Sequence, residues 1–142
     1  MKFIISSSFL VGILFSAVVF SAIPIAVIVH PQSKLGNLTQ AQVLDIYTGR
    51  IVDLPNNQVP LPLDFSGSSP LRESFYFKLS GKTLAQVNAY WARLLFSGQA
   101  TPPRIMRDSA AIIMTVSQNP NAIGFVDAAE VNASVKVLFK LE

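Results

Sequence analysis

Asp64-Phe65-Ser66-Gly67-Ser68-Ser69-Pro70-Leu71-Arg72-Glu73-Ser74-Phe75 is the stretch around which the chain is organised. It follows a strand-like run in which Val59, Leu61 and Leu63 alternate with Pro60 and Pro62. A helix is expected from Pro70. Ser69 suits the N-cap, and proline suits the first helical position because its missing N–H would have no partner there. Arg72 falls in the first turn of that helix. A helix entrance with partial positive charge, the hydroxyls of Ser66, Ser68 and Ser69, and a guanidinium form a place that favours an oxyanion. Asp64 is expected to hold Arg72 in position. These five residues are the candidate ligand-binding set.

Outward from this stretch, strands and helices alternate. Ile25-Ala26-Val27-Ile28-Val29 is a continuous β-branched, apolar run and reads as a strand buried on both faces. Thr39 to Gln42 has capping-box spacing, with Val43, Leu44 and Tyr47 following on a helical repeat and Gly49 as the stop. Arg50 to Gln58 reads as a turn-rich loop. On the other side, Phe75, Tyr76 and Leu79 give the second helix its buried face. Thr83 to Gln86 repeats the capping-box spacing, and Leu84, Val87, Trp91, Leu94 and Leu95 form one apolar stripe. Thr101-Pro102-Pro103 reads as a stiff loop. A fourth helix starts at Asp108 or Ser109 with Ile112, Ile113 and Val116 inward. Ile123–Val126 and Val135–Phe139 read as two more strands. The pattern predicts an α/β domain around a mixed or largely parallel sheet flanked by helices.

Composition narrows the chemistry. The 142 residues suit one domain, and half are hydrophobic, which excludes a disordered chain. A net charge of +3 with no basic block argues against a nucleic-acid partner. There is no cysteine and one histidine, His30, so neither a thiolate nor a histidine metal site is expected, and no cofactor is. Lys2 followed by an uncharged run to Val29, with small residues at Ser21 and Ala22, reads as a secretory signal peptide over residues 1–22. An uncleaved membrane anchor is the alternative. Residues 23–142 then form the domain, outside the cytoplasm. Ser69, His30 and Asp64 can be drawn as a hydrolase triad, but the G-x-S-x-G elbow is missing and no enzyme is expected. Tyr90 and Trp91 read as core and surface of one helix.

Four passages resemble the substrate-binding proteins of ABC-type phosphate transporters, especially short, single-lobe relatives: Ile25–Pro31, Leu38–Arg50, Ser69–Phe75 and Asn119–Val126. Asn119-Pro120-Asn121-Ala122-Ile123-Gly124-Phe125-Val126 is the most specific of them. The resemblance implies one lobe of a type II periplasmic binding protein, with Ser69 and Arg72 as phosphate contacts and Ser68 adding a donor. Pro70 and Leu71 depart from the family's glycine and threonine and remove a backbone donor and a hydroxyl. The implied function is a periplasmic, non-catalytic module for phosphate or a similar oxyanion, serving an ABC permease or an envelope partner. The alternative is an interaction or sensor-accessory module that kept the fold and lost the ligand. A homodimer rebuilding a two-lobed cleft is a further expectation.

Overall fold

The computed structural model describes residues 22–50 and 57–142. Nearly all of the expected signal segment and most of the loop after Arg50 lie outside the described residues. The elements run β1 Ile25–Val29, α1 Gln40–Tyr47, β2 Leu61–Phe65, α2 Pro70–Ser80, α3 Leu84–Ser97, β3 Arg104–Met106, α4 Ser109–Gln118, β4 Ala122–Asp127 and β5 Lys136–Leu141. The sheet order is β3-β2-β4-β1-β5. β2 runs parallel to both β3 and β4, whereas β1 is antiparallel to β4 and β5. The sheet is mixed, with the parallel strands gathered at one side.

The helix boundaries follow their caps. Thr39 and Thr83 form reciprocal capping boxes with Gln42 and Gln86, and the Ser69 hydroxyl accepts from the Arg72 N–H. Gly81 and Gly98 close α2 and α3 in the left-handed conformation. The apolar stripe of α3 stops earlier than expected. Leu95 is 56% exposed and Phe96 is 98% exposed, because the last turn of the helix extends past the packed layer. β3 lies just beyond the Thr101–Pro103 loop, where no strand was expected. It is a three-residue strand behind Pro102-Pro103, too short for a period of two to register. β2 begins at Leu61 rather than Val59. Pro62 fits there because β3 pairs with β2 only from Leu63 onward, so one ladder lacks nothing at the proline.

β1 is wholly buried, and β4 carries the packing on both faces. On one face Phe125 stacks on Phe75 of α2, with ring centroids 3.6 Å apart, and Tyr47 and Phe65 stand edge-on to it. The Tyr47 hydroxyl reaches the carbonyls of Leu63 and Ile123, at 2.8 and 3.2 Å, so that one buried O–H spans β2 and β4. On the other face α4 lies directly over Gly124. A methyl group there would meet Ile112 Cγ2 at 2.6 Å. Gly124→Ala is therefore expected to lower unfolding free energy by about 1–3 kcal/mol through overpacking. Urea melts of the two proteins check this, and an unchanged midpoint would contradict the close approach.

Candidate functional site

The parallel strands place the Ser-rich turn. β2 and β3 end side by side, with Phe65 paired to Met106, and the chains leave that edge into α2 and α4. Ligands of open α/β sheets sit outside such carboxyl ends. Asp64 is the penultimate residue of β2. Ser66, Gly67 and Ser68 are exposed in the turn, Ser69 is half-buried as N-cap, and Arg72 comes back beneath it. All five predicted residues therefore converge on one turn.

Their division of labour differs from the sequence expectation. Arg72 is not an open cation. It is 8% exposed, and its Nε donates to Asp64 Oδ1 and Oδ2 at 3.0 and 3.2 Å. Its Nη2 donates to Asp64 Oδ2 at 3.1 Å, and its Nη1 to the Gly67 carbonyl at 2.8 Å. Asp64, 2% exposed, also accepts from the Phe65 N–H and the Tyr76 hydroxyl, each at 2.7 Å. The carboxylate thus receives from a guanidinium, a phenol and a backbone amide, which offsets the desolvation of the pair. Burial opposes the charge on Arg72, but the Asp64 carboxylate outweighs it and raises the guanidinium above its ordinary pKa. Burial, then the neighbouring Asp64, pushes the Tyr76 phenol up, and burial does the same for Tyr47.

The donors left over belong to the turn. The hydroxyls of Ser66 and Ser68 and the backbone N–H groups of Gly67, Ser68, Ser69 and Leu71 meet no acceptor among the described residues. Glu73, exposed in the first turn of α2, works against an anion. Arg107 works for one. It stands one residue past the paired Met106, its side chain is 87% exposed, and its only partner among the described residues is Asp108 at 3.3 Å. The sequence reading missed Arg107 because it missed β3; recognising Arg104-Ile105-Met106 as a strand parallel to β2 would have put it beside Ser66. His30, at the far end of β1, lies at the opposite edge of the sheet from Ser69, so the hydrolase triad does not assemble. Among the described residues no group of three or more acidic or histidine side chains could hold a metal.

The architecture has solved counterparts. An ABC-type phosphate transport receptor from Vibrio cholerae superposes with a TM-score of 0.60 at 22% identity, over 83% of this chain and 47% of that one. A protein from Clostridium perfringens, described as a phosphate ABC transporter substrate-binding protein with bound phosphate, gives 0.58 at 26% identity, over 80% and 43%. The fold is that of one lobe of a phosphate-transporter substrate-binding protein. The single-lobe chain spans less than half the length of either structure. No protein-family model and no curated protein matches it. Among the described residues of this lobe, no helix is long and apolar enough to cross a membrane.

Two outcomes follow from the buried network. Asp64→Ala and Arg72→Ala each strand an unpaired charge and are expected to cost about 3–5 kcal/mol, with the double variant costing much less than their sum. Additive losses in urea melts would contradict the pairing. Tyr47 and Tyr76 stay protonated in the fold, whereas unfolded tyrosines ionise near pH 10. Their stabilisation is complete below about pH 10 and falls as pH rises beyond it, since only the unfolded state then releases those protons. Tyrosinate absorbance during alkaline titration should show Tyr47 and Tyr76 ionising only with unfolding.

Proposed function

We propose that this single lobe is a non-catalytic, exported module that binds phosphate or a similar oxyanion at the Ser66–Leu71 turn. The observation that carries the reading is the row of uncommitted hydroxyl and backbone donors at a helix entrance, on the carboxyl edge of a parallel strand pair. Ser66, Ser68 and Ser69 supply hydroxyls. Arg72 keeps two N–H groups beyond its bonds to Asp64 and Gly67, and it acts chiefly as the strut that holds the turn open. Support comes from the neighbour described with bound phosphate, whose lobe has the same fold.

Asp64 already balances the guanidinium, Pro70 removes one amide, and the turn is exposed to solvent and salt. Affinity in the millimolar range, about 4 kcal/mol, fits such a half-site. A second reading is favoured by the same neutralised pair. A lobe whose cation is internally matched serves as an interaction module for an envelope partner or permease, with the anion secondary.

Phosphate titration followed by amide NMR separates the two. Saturable shifts at Gly67, Ser68, Ser69 and Leu71, absent with chloride and weakened severalfold in Ser66→Ala/Ser68→Ala, are expected for the oxyanion module. No phosphate-specific shift at this turn would leave only the interaction reading.

A further inference from the structure

A second place in the lobe has the makings of a ligand site, at a different location and for a different chemistry. A cavity of about 140 Å³ lies between α1, α2 and α3, and its walls include Tyr47, Tyr76, Tyr90 and Trp91. Packed interiors hold few voids larger than a water molecule. This one is also poorly suited to water, which needs about two to four polar partners. The hydroxyls of its walls are spent elsewhere. Tyr47 bonds to Leu63 and Ile123, Tyr76 to Asp64, and Tyr90 to the Thr48 carbonyl. The hydroxyls of Thr48 and Ser80 bond to carbonyls of their own helices.

What remains is an aromatic hollow with a cationic mouth. Tyr90 and Trp91 meet edge to face at 5.5 Å, an arrangement to which a third ring adds readily. Dry apolar cavities of about 150 Å³ take up benzene. Lys82 and Arg50 line the same cavity and are exposed. Lys82 Nζ has no ion pair among the described residues, and Arg50 uses only Nη1, on Asp45. A ring would fill the hollow, and a carboxylate on that ring would sit beside the two cations at its mouth. We infer that this cavity is a binding site for a small planar aromatic carboxylate of about the size of benzoate.

Trp91 is the only tryptophan, so its fluorescence in the full chain reports on the cavity directly. Benzoate is expected to change that fluorescence saturably, with amide shifts centred on Thr48, Ser80 and Tyr90. Benzyl alcohol, the same ring without the charge, should bind about tenfold more weakly. Arg50→Ala/Lys82→Ala should close that gap by weakening benzoate alone. Val87→Phe fills the hollow from within and should abolish the response, and Leu44→Phe does the same from α1 should the first variant fail to fold. The inference is overturned by the absence of saturation up to about 10 mM benzoate. It is equally overturned by shifts centred on another part of the lobe, or by a response that survives a folded cavity-filling variant. Phosphate binding at the Ser66–Leu71 turn is read from different amides, so failure of either site leaves the other standing.

Discussion

The buried ion pair between Asp64 and Arg72 is the constraint on which the candidate site depends. Two charges withdrawn from water are tolerated only when each is matched and hydrogen-bonded. Here the match is thorough: three guanidinium N–H groups, a phenol and an amide surround two carboxylate oxygens and one loop carbonyl. The pair ties the end of β2 to the first two turns of α2, and through Gly67 it fixes the serine turn between them. The same matching cancels the charge that a free arginine would offer a ligand. Recognition then falls to dipoles and hydroxyls, which makes the turn a placed but weakly charged cradle.

The mixed sheet explains why that cradle is open. β3, β2 and β4 are the strands that pair in parallel, so their carboxyl ends form one short edge, and α2 and α4 begin there. The solved relatives are more than twice as long as the region that superposes on this chain. In the lobe described, nothing covers Ser66, Gly67 or Ser68. Screening by salt and competition from water act fully on such a surface.

Much of this was legible in the sequence. Capping boxes at Thr39 and Thr83, the Ser69-Pro70 start and the β-branched run Ile25–Val29 are local signals, and each element formed where its signal stood. The convergence of Asp64, Ser69 and Arg72 was also readable, because all three lie within nine residues of one another. That Asp64 holds Arg72 was expected as well; that the pair lies buried and spends the charge was not. That burial depends on Tyr76 completing the shell of Asp64 and on the Gly67 carbonyl completing that of Arg72, and no periodicity reveals it. β3 and with it Arg107 escaped because three residues cannot declare an alternation. Leu95 was placed on the buried stripe because periodicity does not say where a core ends. The cavity among Tyr47, Tyr76, Tyr90 and Trp91 is a property of three helices together, and Tyr90 and Trp91 read singly looked like ordinary packing.

The most direct examination of the central claim is a crystal structure of the protein soaked in arsenate, whose scattering marks an oxyanion unambiguously. Density seated over the Ser66–Leu71 turn, with Arg72 still clasping Asp64 beneath it, is the result this account predicts. Arsenate absent from that turn at saturating concentration, or Arg72 detached from Asp64 in the unliganded crystal, would contradict it.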